Sequence, residues 1–390
     1  MLRAKAPNSS RHIIAAALLA LLAGCQTQPT EKQTPDIEVT DQTLVDQKLR
    51  QILSQHQINT AGIAVISNGT PVWHATYGDQ APGVPASERT LFNVASITKT
   101  VVAETVLRLA ATGALSLDEP MSTYWIDPDL QDDSRHQLLT PRHALTHRTG
   151  FLNWRFFSDD GKLQFVRDPG TAFGYSGEGF NYLARFVERK LGIPFEELAR
   201  EHVFGPAGVT DAALSVDQRL FPYLAQSLDS DGEFPGHYCR PEGWCREPGN
   251  FSAAGGMAIS VSDYAKVLIQ SMQGVGLTKE SVDARNTLAT KTYDIDCTVV
   301  PSALCPKRIG YGLGWHVMEL EGDRTIGHLG SDWASVTMAY YYEDSRDGLV
   351  VFLNAPNADG IAAMVDILKL LDPDSPELHG YTARRERSKR

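Results

Sequence analysis

The chain of 390 residues, 42% hydrophobic and 21% charged, has the composition of a folded globular protein, which excludes a disordered or collagen-like one. Its formal net charge of -11, from 36 basic and 47 acidic residues, excludes nucleic acid as an expected partner, because a phosphate-backbone binder needs a basic face. The length accommodates two or three domains, or one enzyme module with two lobes.

Arg3, Lys5 and Arg11 precede an apolar run from Ile13 to Leu22, too short to span a bilayer as a stable helix and suited to a signal peptide. The run ends in Leu22-Ala23-Gly24-Cys25, which resembles a bacterial lipobox. The resemblance implies that residues 1–24 are removed and that Cys25 is lipidated as an N-terminal membrane anchor. Gln26, where Asp would retain a lipoprotein, resembles the sorting pattern for the periplasmic face of the outer membrane. An ordinary secretory signal beside a cysteine is the alternative; both predict export. Residues 25–42 are polar, carry Pro29 and Pro35, and are expected to form a flexible tether.

Val45, Leu49, Ile52 and Leu53 recur at helical spacing and predict an amphipathic helix. Gly62–Ile66 and Val72–Ala75 flank Asn68-Gly69, the signature of a two-strand hairpin. A helix is expected from Ser96 to Ala111, stopping at Gly113. Between 114 and 254 the signals are short helices and Pro- and Gly-punctuated loops, with one clear helix from Gly179 to Leu191. Strands are expected over Gly312–Val317, Ser335–Tyr342 and Leu349–Leu353, then a final helix over Ile361–Leu371. Residues 372–390, with Arg384, Arg385, Arg387, Lys389 and Arg390, read as a solvated basic tail.

Strands from both chain ends with helices between them predict an α+β fold, an antiparallel sheet flanked by helices. A lobe of residues 43–113 and 255–371 would hold a helical lobe, 114–254, with the active site at the boundary. In an exported protein, Cys239, Cys245, Cys297 and Cys305 are expected in disulfides. The close spacings suggest 239 with 245 and 297 with 305 among three possible connectivities. A zinc site is the weaker alternative, since no Cys-x-x-Cys pair occurs and only His237 lies near any of them.

Ser96-Ile97-Thr98-Lys99 places a hydroxyl and an amine on one face of the first turn of a helix. A desolvated lysine has its pKa lowered enough to take a serine proton, and the helix N-terminus offers N–H groups to an oxyanion. The spacing alone arises readily by chance, so the surrounding sequence decides. Leu91-Phe92-Asn93-Val94-Ala95-Ser96-Ile97-Thr98-Lys99-Thr100, Gly113-Ala114-Leu115-Ser116-Leu117-Asp118, Ala144-Leu145-Thr146-His147-Arg148-Thr149-Gly150, Ala253-Ala254-Gly255-Gly256-Met257 and Tyr311-Gly312-Leu313-Gly314-Trp315 occur in that order. Together they resemble the serine β-lactamase and penicillin-binding protein superfamily, especially its class C β-lactamase-like esterases and D-peptidases, over nearly the entire mature chain.

The resemblance implies a β-lactamase-like fold with Ser96 as nucleophile, Lys99 as its base and Tyr175 as a proton shuttle. Tyr175-Ser176-Gly177 stands where the family has Tyr-x-Asn, so Gly177 removes an amide that contacts substrate or lysine. His328-Leu329-Gly330 stands for Lys-Thr-Gly and implies a substrate-binding strand edge. His328 would contact a substrate carboxylate there, Gly330 would allow close approach, and the Ser331 N–H would serve as oxyanion donor beside that of Ser96. The His147 segment is structural in the family, and Asp263 is expected to cap or start a helix.

Acyl transfer through an acyl-enzyme, on a small-molecule or peptide ester, D-amino-acid amide or lactam, is thus the expected chemistry, with no cofactor and no metal. Gly177 and His328 favour esters and D-peptides over β-lactams. A penicillin-binding or cell-wall-sensing protein that acylates without efficient turnover is the competing expectation, and a purely structural lipoprotein a third.

Overall fold

In the computed structural model of the chain, residues 42–292 and 305–388 are described. The signal peptide, Cys25, nearly all of the tether and Cys297 lie outside the described residues.

A strand covered on both faces needs apolar side chains at nearly every position, and one covered on a single face needs them at alternate positions. Strands β10 (Ser335–Tyr342) and β11 (Gly348–Asn354) are buried throughout. Together with β1 (Thr60–Ser67), they form the centre of a nine-stranded antiparallel sheet. Its order is β3-β2-β1-β11-β10-β9-β8-β7-β6, with β2 Thr70–Ala81, β3 Val84–Pro85, β6 Thr290–Lys291, β7 Arg308–Tyr311, β8 His316–Glu319 and β9 Arg324–Asp332. A separate ribbon pairs β4 (Phe92–Asn93) with β5 (Ala258–Ile259).

Alternation assigns the two faces. Ile63, Val65, Met338, Tyr340, Val351 and Leu353 pack under helices α1 (Gln42–Gln55), α8 (Asn357–Leu371) and α9 (Glu377–Ser388). Ala64, Ile66, Ala339, Tyr341, Val350 and Phe352 face the other core. That core also holds α2 (Thr98–Ala111), α4 (Gly177–Leu191), α5 (Phe195–Ala199) and α6 (Val261–Met272). Short helices α3 (Pro141–Leu145) and α7 (Lys279–Asn286) complete the set. The expected α+β class is observed, and the helices between α2 and β5 form a body against the Ser96 side of the sheet.

Three expectations change. The Gly312–Val317 strand begins only at His316, because Gly312–Trp315 forms a turn: the Gly312 N–H bonds the Trp315 carbonyl at 2.9 Å, and Gly314 sits at φ 81°. The basic tail is a helix, α9, docked by Leu378 and Tyr381 in the apolar layer that α1 and α8 build. Of the two roles expected of Asp263, starting the helix holds, since it lies in the first turn of α6, and capping does not: the cap is Ser260, whose hydroxyl accepts the Asp263 N–H.

β9 pairs with β10 along Thr325–Asp332 but with β8 only up to Gly327. From His328 to Asp332 its other edge is therefore not paired in the sheet, and this open edge runs past Ser96.

Candidate active site

Ser96 occupies a 3₁₀ turn, Ala95–Ile97, that leads into α2. Ala95 has φ 47°, a left-handed conformation costly for a residue with a Cβ, so the turn is held from several sides. The Ala95 N–H donates to Asn93 Oδ1 at 3.1 Å, Thr98 Oγ1 to the Ala95 carbonyl at 2.6 Å, and Thr337 Oγ1 on β10 to the Val94 carbonyl at 2.9 Å.

One turn on, Lys99 is fully buried. Its Nζ lies 3.1 Å from Ser96 Oγ and donates to the Ala254 carbonyl at 2.6 Å. No carboxylate among the described residues pairs with it. Burial therefore acts unopposed and pulls its pKa down to about 7. The Tyr175 and Phe180 rings stand 5.0 and 5.7 Å from Nζ.

Tyr175 is half-buried beside this pair. Burial pushes its phenol well above the usual range, and a hydrogen bond with Ser96 opposes the rise only partly, so it is a neutral phenol at pH 7. Its ring stacks on His147 at 4.3 Å. His147 is itself at φ 52°, buried, and accepts the Ser176 N–H on Nδ1 at 3.1 Å. Burial and the Lys99 charge hold it neutral. The segment read as structural from sequence thus positions the tyrosine, and a left-handed histidine gives no sequence signal.

Two glycines are required by close approach. A Cβ on Gly177 would fall 2.6 Å from the Trp154 indole, so an aromatic ring fills the place of the expected amide. A Cβ on Gly330 would lie 2.1 Å from Thr337 Oγ1 and 2.4 Å from the Val94 carbonyl. Gly330 thus admits the protein's own Ser96 turn against β9, a role different from the expected approach of substrate.

His328 also departs from expectation. It is buried, its Nδ1 is 2.7 Å from the Leu329 carbonyl, and Nε2 has no hydrogen-bond partner. That carbonyl can only accept, so Nδ1 carries the proton and Nε2 offers a lone pair. Burial, then the Lys99 charge, pull its pKa down to about 3. The ring reaches the site but presents neither a charge nor a donor to it. Ser331 lines the cleft; its hydroxyl turns to the opposite face of the sheet and donates to Asn357 Oδ1 at 2.9 Å.

Ser96 and Ser331 open on a cleft of about 610 Å³. Its walls include Trp154 and Phe156, which stack with ring centroids 6.0 Å apart, and Trp333 beyond the end of β9. A further wall is a loop closed by the Cys239–Cys245 disulfide, which bears out the first expected pairing. Sequence reasoning missed Trp154, Arg240, Trp244 and Arg246 as cleft residues; the crowding of aromatic and basic residues around two close cysteines was the available signal. Among the described residues, no cluster could hold a metal ion and no helix is long and apolar enough to cross a membrane.

The arrangement couples a hydroxyl to an amine able to lose its proton near neutrality, with a phenol as a second proton carrier. The family model described as Beta-lactamase matches residues 45–371. Esterase EstB of Burkholderia gladioli is 31% identical over 198 residues, 43% of this chain and 50% of EstB. A beta-lactamase of Pseudomonas fluorescens is 26% identical over 287 residues, 70% of this chain and 74% of that protein. The chain spans about half the length of the first curated relatives it matches. Among solved structures, the octameric penicillin-binding protein homologue from Pyrococcus abyssi superposes with a TM-score of 0.67 at 22% identity, covering 87% of this chain and 79% of that one. The penicillin binding protein from Bacillus halodurans gives 0.66 at 22%, covering 83% and 98%. These likenesses establish the fold.

Proposed function

The chain belongs to the beta-lactamase family of serine hydrolases, and from that premise we propose that it acts through an acyl-enzyme on Ser96. Its substrates are esters or D-amino-acid amides in preference to β-lactams. The observation that carries the reading is the fully buried Lys99 amine 3.1 Å from the Ser96 hydroxyl.

With a pKa of about 7, part of the Lys99 population is neutral at physiological pH. Neutral Lys99 takes the Ser96 proton as Oγ bonds to the substrate carbonyl carbon. Tyr175 gives its phenolic proton to the leaving oxygen or nitrogen as that bond breaks, and Lys99 returns a proton to Tyr175. Water then attacks the acyl carbon, the acid leaves, and Ser96 recovers its proton. The N–H groups of Ser96 and Ser331 are the oxyanion donors.

The preference against β-lactams is supported by Trp154 in place of an amide and by His328, held neutral by burial, in place of a permanent cation. A screen of p-nitrophenyl esters, D-alanyl peptides and a chromogenic cephalosporin tests it: cephalosporin turnover matching the best ester would reverse the ordering. Fluorophosphonate labelling of wild type but not Ser96→Ala is expected, and label in both or in neither sinks the nucleophile assignment. Export by a lipid anchor on Cys25 is proposed from the leader sequence and is supported by the Cys239–Cys245 disulfide, which persists in oxidising compartments. Loss of palmitate incorporation in Cys25→Ala checks it.

A further inference from the structure

The loop from Gly236 to Arg246 leaves one cation of the cleft wall without a direct ion pair among the described residues. The charged residues of the cleft wall are Arg240, Arg246 and Asp332. Arg240 Nη2 pairs with Asp332 Oδ1 at 2.8 Å, which clamps the loop to β9. Arg246 has no ion pair among the described residues, and its Nη1 is buried without a hydrogen-bond partner. Its side chain lies beside the Tyr238 ring, 5.8 Å from the guanidinium carbon, and the backbone at Gly256; Asp332, already paired with Arg240, acts on it only from beyond ion-pair distance. Burial draws its pKa below the ordinary arginine range, outweighing the opposing pull of Tyr238 and Asp332.

A guanidinium nitrogen buried without a partner is costly to maintain, and the planar group matches a carboxylate bidentately. Its placement fits a ligand of the reaction. Nη1 would lie 3.0 Å from a Cβ on Gly256, so the group rests on the Ala253–Met257 segment whose Ala254 carbonyl holds Lys99.

We infer that Arg246 is the substrate-anion site of this enzyme: the cleft takes an ester or amide bearing a carboxylate, with the aromatic wall at Trp154 and Phe156 receiving an apolar group. The inference rests on the hydrolase reading for the identity of the ligand as substrate. It moves the charge expected at His328 onto the disulfide-closed loop.

Equilibrium binding tests the site without requiring turnover. Calorimetry on Ser96→Ala protein compares 3-phenylpropionate with its neutral amide, 3-phenylpropionamide. The carboxylate is expected to bind at least tenfold more tightly, the ratio to fall to about one on adding Arg246→Gln, and Arg246→Lys to restore part of it. Equal binding of acid and amide, or a preference untouched by Arg246→Gln in protein with an unchanged circular dichroism spectrum, overturns the inference. In wild type, kcat/KM for the p-nitrophenyl monoester of glutaric acid is compared with that for p-nitrophenyl butyrate. A preference for the anionic ester lost in Arg246→Gln supports the inference. Absence of turnover on both, with the binding preference intact, defeats the hydrolase reading alone.

Discussion

The indole of Trp154 occupies the space into which any side chain at position 177 would grow, with two ring carbons 2.6 and 2.7 Å from a Cβ built on Gly177. The glycine and the tryptophan are therefore one steric unit, and the cleft has exchanged an amide for an aromatic wall. Gly177→Asn alone is expected to destabilise the fold by about 1–3 kcal/mol through overpacking and to lower kcat/KM. Adding Trp154→Ala should recover part of both losses. Urea denaturation of the two single variants and the double measures the coupling; additive effects would contradict the shared volume.

The pH dependence follows from Lys99. Its pKa in the fold, about 7, lies below the ordinary 10.5, so the base form accumulates as pH rises through neutrality. The acylation rate should climb between pH 6 and 8 with a midpoint near 7. It should not climb in Lys99→Arg, where a guanidinium stays protonated and activity falls by roughly 10²–10⁴. Stopped-flow labelling by a fluorophosphonate across pH reads acylation directly. A wild-type profile flat from pH 5 to 9 would remove Lys99 from the base role.

The same burial makes Lys99 a burden on stability with a defined sign. Below pH 7 the folded protein holds the ammonium dry, and the destabilisation is present in full. Between 7 and 10.5 the unfolded chain binds more protons at this site than the folded one, so stability rises with pH until the burden is gone. Lys99→Met, which removes the charge and keeps the length, should stabilise the protein by on the order of 3 kcal/mol near pH 6. The Ala254 carbonyl left without its donor offsets part of that gain. The gain should vanish toward pH 10. Melting temperatures of both proteins at pH 6, 8 and 10 check the trend, and a gain that grows with pH would contradict it.

Much of this architecture was legible as local pattern. Asn68-Gly69 reads as a hairpin turn because both residues must take positive φ, and they do, at 47° and 72°. Ser96 and Lys99 are neighbours by helical spacing alone. What was not legible depends on partners distant in sequence. Lys99 is desolvated by Tyr175, Phe180 and Ala254, and spacing cannot report how dry a side chain becomes. His328 looked like a charge donor from its motif, yet its ring bonds its own strand at Leu329 and is buried. The helix α9 was hidden because Leu378 and Tyr381 anchor it within an otherwise polar, basic sequence. Arg246 carries no motif; only its buried Nη1 without a hydrogen-bond partner singles it out.

The disulfide links this loop to substrate binding. Cys239 and Cys245 close a short hairpin in which the Arg240 N–H bonds the Trp244 carbonyl at 2.8 Å and the Arg246 N–H bonds the Tyr238 carbonyl at 3.0 Å. Both arginines adjoin a bridging cysteine, so opening the bridge releases the hairpin that aims them while leaving Ser96, Lys99 and Tyr175 on separate elements. For a loop this short the chain-entropy contribution is about 2 kcal/mol, enough to loosen the hairpin without unfolding the sheet. Cys239→Ser with Cys245→Ser should raise KM for a carboxylate-bearing ester about tenfold and change kcat by less than about threefold. The double serine variant separates this bridge from any effect at Cys297 and Cys305, which a reductant would not. A fall in kcat at unchanged KM would place the loop in the chemical step instead, and unchanged constants would mean that the hairpin holds its shape without the bridge.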